Sequence, residues 1–318
     1  MTRGLVLGAG GVLGAAWTIG ALAALQDADG WDPRTADVLI GTSAGSVLAA
    51  ALSCGIGVDT LRNHQQGIVV EGDPRIDYDA DSGAGGAHPP LPRPGIGSPR
   101  GVLHSALHPW RVTPMAALAA VLPQGRGSTA PIGQLVDGVL PAGGWAPHPR
   151  TWIVAMDYDT GRRVPFGRTG APDAPLREAV MASCAIPGWY APIPIGGRRY
   201  VDGGACSPTS VDLVSRLELD EVVVLSPMTS LDYDDPCSVA ARLERRFRRL
   251  VTRRLVGEVK RVAARGTKVT LLGPGAEDLA AIGANLMDPR RREAVLATSL
   301  RTSTAALAAA RAGYAASA

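Results

Sequence analysis

Short apolar runs recur along the chain, each closed by glycine, serine or an acid, and they predict an alternation of strands and helices. Gly4-Leu5-Val6-Leu7 reads as a buried strand, residues 8–14 as a glycine loop and 15–26 as a helix with little polar surface. A second unit follows: Asp37-Val38-Leu39-Ile40 as a strand, Gly41-Thr42-Ser43-Ala44-Gly45 as a tight turn, and 46–53 as a helix of small residues. Two strand-to-helix units in the first 55 residues imply a parallel α/β sheet. Further strands are predicted at 151–156, 164–166, 199–201, 221–225 and 269–272, the second joined to the first through a turn at 159–161. Helices are predicted at 116–122, 176–183, 239–265 and 290–312. Residues 71–102, rich in Gly, Pro, Asp and Ser, lack periodicity and read as a long loop, a candidate lid or a disordered insert.

Composition narrows the class. The 318 residues are 46% hydrophobic and 19% charged, which suits a soluble globular chain and excludes collagen-like and wholly disordered ones. A net charge of +3 is too small to argue for nucleic-acid binding. The uncharged stretch 4–25 has the hydropathy of a signal peptide or a membrane span. It carries six glycines, which weaken a spanning helix, and it divides into strand, loop and helix. A cytoplasmic protein is therefore expected. Cys54, Cys184, Cys206 and Cys237 lie far apart without a CxxC pair, so they read as free thiols of a reducing compartment. No cofactor and no metal are expected. Residues 240–268 are net +9, with Leu243, Phe247, Leu250, Val251, Leu255 and Val259 at helical spacing. A basic amphipathic face on anionic lipid is one reading, and it makes peripheral membrane contact an expectation. The favoured reading is a helix packed by that stripe, with a solvated cationic face.

Candidate chemistry begins at Ser43, in the frame Gly41-x-Ser43-x-Gly45 at a strand-to-helix junction. A nucleophile elbow needs glycine two residues either side, where side chains would collide with backbone, and the next helix points its positive end at the serine. An ordinary tight turn would share the pattern. The loop Gly8-Ala9-Gly10-Gly11-Val12-Leu13-Gly14 can expose backbone N–H groups to a phosphate or an oxyanion. A dinucleotide fold is its rival, but there the second strand should end in an acid. Here it ends in Gly-Thr-Ser, which links the loop to the serine instead. The five histidines all lie at or before position 148, so the Ser, acid, His order of α/β-hydrolases is excluded. A histidine in another order is open but has no supporting motif, and a carboxylate acting directly as base is the other option. Asp202, at a strand end before Gly203-Gly204, is the best placed, with an Asx turn as its other reading.

Together, Gly41-Thr42-Ser43-Ala44-Gly45, Asp202-Gly203-Gly204, the N-terminal glycine loop and the run from Ala182-Ser183-Cys184-Ala185-Ile186-Pro187-Gly188 to Val201 resemble the patatin-like phospholipase family over residues 4 to 225. The resemblance implies a three-layer α/β/α fold with a mostly parallel central sheet. It also implies lipid acyl hydrolysis by a Ser–Asp dyad, of phospholipase A, lysophospholipase or esterase type. Carried over, Ser43 is the nucleophile, Asp202 the base, and the N–H groups of Gly10, Gly11 and Ala44 the oxyanion hole. The expected partner is a lipid or another acyl ester. The family's Gly-Gly-Gly-x-Arg/Lys-Gly motif reads Ala9-Gly10-Gly11-Val12-Leu13-Gly14 here, so Leu13 removes a cation and points to less charged substrates. The expected organisation is a catalytic core over 1–230, with an irregular insert near 71–110, and a mainly helical extension over 231–318 packed on the same domain. The alternatives are a catalytically weak lipid-binding or regulatory relative, and a nucleotide-binding α/β protein.

Overall fold

A computed structural model describes residues 1–71, 90–140, 144–231 and 239–315. Its frame is one mixed sheet. The strands are β1 (Arg3–Leu7), β2 (Val38–Thr42), β3 (Thr151–Asp157), β4 (Arg163–Phe166), β5 (Ile193–Ile195), β6 (Arg198–Asp202), β7 (Glu221–Leu225) and β8 (Lys268–Leu272). Their order is β5-β6-β3-β2-β1-β7-β8, with β4 paired to β3. The five strands from β3 to β8 along this order run parallel, while β4 and β6 lie antiparallel to β3.

Alternation along the central strands sorts the core into two layers, as a period of two requires. Leu5, Leu7, Leu39, Ile153, Val223 and Leu225 share one apolar cluster, and Val6, Val38, Ile40, Val154, Val222 and Val224 share another. The first cluster takes in α1 (Gly11–Asp29), α2 (Ala44–Ser53), α3 (Val58–Gln65), α6 (Ala130–Val139), α7 (Leu176–Ser183), α9 (Ala276–Ile282) and α10 (Arg292–Ala315). The second takes in α8 (Val239–Ala263). A smaller cluster seats α5 (Pro114–Val121) on Met156 and Val201, and α4 (Pro99–Leu107) packs on α5. Helices thus cover both faces of the sheet.

The near-absence of polar surface on α1 has a packing cause. Apart from the half-buried Ala15, the helix is buried from Leu13 to Leu25, packed against α10. The crossing is close at Gly20, where a Cβ would lie 2.8 Å from the Leu296 carbonyl oxygen, and Ser299 donates to the Trp17 carbonyl at 2.6 Å. No helix among the described residues is long and apolar enough to cross a membrane.

Two expectations need correction. The stretch 71–102 is not loop throughout, because α4 begins inside it at Pro99, and residues 72–89 lie outside the described ones. In α8 the stripe is only partly a packing stripe. Val251 and Leu255 are buried, but Phe247 and Leu250 face solvent. The cationic face is only partly solvated: Arg245 and Arg248 are buried and ion-paired with Glu244, and Arg248 also donates to the carbonyls of Pro227 and Thr229. The charges turn inward because these partners satisfy them there.

Candidate active site

The carboxyl ends of β1 and β2 carry the two backbone features of the site. Ser43 follows β2 with φ 54° and ψ −124°, a conformation that a non-glycine residue holds only under outside constraint. The flanking glycines are required by close approach. A Cβ on Gly41 would lie 2.5 Å from the Ser46 Cα, and one on Gly45 would run into the Leu7 carbonyl and lie 2.8 Å from the Gly8 oxygen. The first turn of α2 therefore rests on β2 on one side and on the end of β1 on the other.

Two serines hold this turn. Ser46 Oγ donates to the Ser43 carbonyl at 2.6 Å. The Ser43 N–H donates to Ser183 Oγ at 2.9 Å, and that hydroxyl donates onward to the Val154 carbonyl at 2.6 Å. Ser183 ends α7 and is fully buried, so it ties the elbow to β3. Neither serine was singled out by sequence reasoning, and neither belongs to a pattern that local periodicity could reveal.

Asp202 arrives from the other side of β3. It ends β6 in antiparallel register with Ala155, while Val154 pairs with Thr42 of β2. Its N–H donates to the Ala185 carbonyl at 2.9 Å, and its carboxylate accepts the Gly204 N–H at 2.7 Å. That second bond is the Asx turn of the alternative reading, but the Ser43 side chain also lies close enough to the carboxyl to favour its charged form. Burial pushes its pKa up to about 6, against the opposing pull of the Ser43 side chain and the Gly204 N–H.

The glycine loop closes the third side. Gly11 has φ 62° and starts α1, and a Cβ there would lie 2.9 Å from the Met287 sulfur. Leu13 points into the apolar core and its N–H donates to the Leu286 carbonyl at 2.9 Å, so packing occupies the position of the family's cation. Among the described residues, the N–H groups of Gly10, Gly11 and Ala44 donate to no protein acceptor. They sit at the N-terminal ends of α1 and α2, where helix geometry leaves such donors over.

A cavity of about 1200 Å³, counting the solvent at its mouth, opens beside Ser43, Ala44 and Gly11. Its walls are mostly apolar and come from α1, α2, α3 and α6, with Cys184, Tyr190, Met287 and Arg292. No described histidine lines it, and His88 lies outside the described residues. Cys54, Cys184 and Cys206 are free thiols, and Cys237 also lies outside. No cluster of candidate metal ligands occurs among the described residues.

Residues 5–214 match the model of the family described as patatin-like phospholipase, which is more than half of the chain. The chain belongs to the patatin-like phospholipase family. Membership makes it a lipid acyl hydrolase in general terms, and the patatin-like match ends inside the sequence, before β7. Among solved structures, the patatin-like chain resembles VipD from Legionella pneumophila at 13% identity and a TM-score of 0.44, over 97% of this chain and 67% of that one. It also resembles the type III effector protein ExoU at 16% identity and a TM-score of 0.37, over 96% of this chain and 53% of that one. No curated protein matches the sequence.

Proposed function

We propose that the protein is a serine lipid acyl hydrolase of the carboxylic ester hydrolase class, with Ser43 as nucleophile and Asp202 as the only base. The observation that carries this reading is a serine on a positive-φ elbow, beside a buried carboxyl whose charged form its side chain favours, at the wall of an apolar cavity.

As Ser43 Oγ attacks the ester carbonyl carbon, its proton passes to the Asp202 carboxylate. The tetrahedral oxyanion is held by the N–H groups of Gly10, Gly11 and Ala44, each such donor being worth about 3–4 kcal/mol in comparable sites. The intermediate collapses, the alcohol leaves with the proton from Asp202, and the acyl group stays on Ser43. Water then attacks the acyl-enzyme as Asp202 takes its proton, and collapse of the intermediate returns that proton to Ser43 Oγ as the fatty acid departs. A carboxylate with an ordinary pKa near 4 is a weak base for this task. A value of about 6 brings it closer to the working range without protonating it at neutral pH. The apolar walls suit an acyl chain, and Arg292 is the one cation among the residues that line them.

The deciding experiment is labelling by a fluorophosphonate probe together with hydrolysis of a short p-nitrophenyl ester. Wild type should label and turn over. Folded Ser43→Ala should do neither, and folded Asp202→Asn should lose nearly all turnover. Full activity in Ser43→Ala overturns the reading, and a wild type that never labels would favour the catalytically weak lipid-binding alternative.

A further inference from the structure

From residue 90 to residue 136 the sequence contains no Asp or Glu, against four arginines (93, 100, 111 and 126). The structure folds the middle of this stretch into the helical pair α4–α5. Only the small side of the pair faces the protein. Ala116 and Ala119 pack on Met156, Tyr158 and Val201, and Gly101 of α4 lies 3.0 Å, measured from an added Cβ, from the Ala120 methyl. The outer side carries Leu103 (61% exposed), Leu107 (60%), Trp110 (76%), Met115, Leu118 and Val121. At three- and four-residue spacing, Leu103 and Leu107 share one face of α4, with Trp110 just beyond it, and Met115, Leu118 and Val121 share one face of α5.

Six large apolar side chains exposed on one packed helical pair are unusual on a free soluble surface and mark an interaction site. Its chemistry narrows the partner. A tryptophan at the turn between two short helices, apolar side chains around it and cations without interspersed acids match a bilayer interface with anionic head groups. Asp159 is the carboxylate whose charge reaches Arg100, and it is already ion-paired with Arg199. The chain also links the face to the cavity wall. The chain leaving α5 passes Leu122 against Gly188, bridges Gly127 to Tyr190 and enters α6, and both Tyr190 and α6 line the cavity.

We propose that the outer face of α4–α5, centred on Leu103, Leu107, Trp110 and Leu118, docks the protein on an anionic phospholipid bilayer. This goes beyond the hydrolase reading and takes from it only the expectation that lipid is the relevant partner. It also differs from the expectation placed on the cationic helix, because α8 turns two of its arginines inward.

The test is flotation of full-length Ser43→Ala protein with vesicles of phosphatidylcholine alone or mixed with phosphatidylglycerol. Binding should favour the anionic vesicles and weaken with salt. Leu107→Ala/Trp110→Ala should weaken it at least tenfold, Arg111→Gln about fivefold, and Arg246→Gln/Arg253→Gln on α8 little. In a background with Ser43 intact, Leu107→Ala/Trp110→Ala should leave hydrolysis of a soluble short ester unchanged. Unaltered vesicle binding in that variant, or no binding by the parent protein, overturns the proposal. So does a sedimentation result in which the parent is a dimer that Trp110→Ala dissociates, since a second copy would then cover the face. Because binding is read without turnover, its failure is distinguishable from a failure of fluorophosphonate labelling in the wild type.

Discussion

Ser183 and Ser43, 140 positions apart in sequence, are joined by a buried hydrogen bond in which the Ser183 hydroxyl accepts the backbone N–H of the elbow at 2.9 Å. The same hydroxyl donates to Val154, so one oxygen fixes the strained turn to the strand that separates it from Asp202. Removing it leaves a buried N–H and a buried carbonyl without that partner, at a cost of about 1–3 kcal/mol. Ser183→Ala is therefore expected to lower stability by that amount. It should also reduce kcat on a soluble ester tenfold or more, with KM little changed, because the elbow loses its hold and not the cavity walls. Denaturation and steady-state kinetics together check this, and a variant unchanged in both would remove Ser183 from the machinery.

The protonation state of Asp202 should govern the acid limb of activity. The carboxyl must be ionised to accept the serine proton, and burial raises its pKa to about 6. Activity should then rise with pH and level off above about 7. At pH 5 about one carboxyl in ten remains ionised, so kcat/KM should fall to about a tenth of its plateau. A profile of kcat/KM between pH 4.5 and 8 with a neutral short ester measures this directly. A flat profile across that interval would contradict the role of base.

The same raised pKa has a cost in stability, and the sign can be worked out. In the unfolded chain the carboxyl titrates near 3.8, and in the folded chain near 6, so between these values the native state binds more protons. Stability therefore falls as pH rises through the window, and the loss persists at pH 7. The difference corresponds to about 3 kcal/mol at most, at 1.36 kcal/mol per pH unit. A neutral Asn removes the buried charge and keeps an oxygen for the Gly204 N–H. Asp202→Asn is expected to be inactive yet about 1–3 kcal/mol more stable at pH 7.5, with the gain shrinking towards pH 4. Chemical denaturation at the two pH values checks both statements, and an Asn variant that is less stable at pH 7.5 would contradict them.

Much of the frame was legible because each element carries its own local signal. The strands at 151–156 and 221–225, the helix at 176–183 and the glycine frame of Ser43 all depend on patterns within a few residues. The outer features depend on tertiary contact. The cavity wall from α6 belongs to a helix of ten residues containing Pro131, Gly133 and Gly138, whose period is short and interrupted. Arg292 opens α10, which lies across α1, and Met287 comes from the chain just before it, so both reach the cavity through tertiary packing. In α8, periodicity identified the helix but not which cations turn inward, since Glu244 and the Pro227 carbonyl are partners that spacing cannot assign. One signal was overlooked: Ser98 before Pro99 is a helix start, and the Ser98 hydroxyl indeed accepts the Gly101 N–H at 3.0 Å.

A matched pair of substitutions tests whether the elbow glycines are there for space. Gly45 and Gly257 both lie inside helices, and neither has a positive φ. By helix propensity alone, alanine should stabilise at either position by up to about 1 kcal/mol. At Gly257 nothing lies within 4 Å of an added Cβ, so Gly257→Ala should show that gain. At Gly45 the added carbon runs into the Leu7 carbonyl and lies 2.8 Å from the Gly8 oxygen, both main-chain atoms at the end of β1 that cannot rotate away. Gly45→Ala should instead cost about 3 kcal/mol or more, and any folded fraction should have lost most of its esterase activity as α2 is pushed off β1. Denaturation midpoints of the two variants decide the matter. If Gly45→Ala gained stability like Gly257→Ala, α2 would not approach β1 as closely as the structure requires. The proposed convergence of the Ala44 and Gly11 N–H groups on one oxyanion would then lose the close packing it depends on.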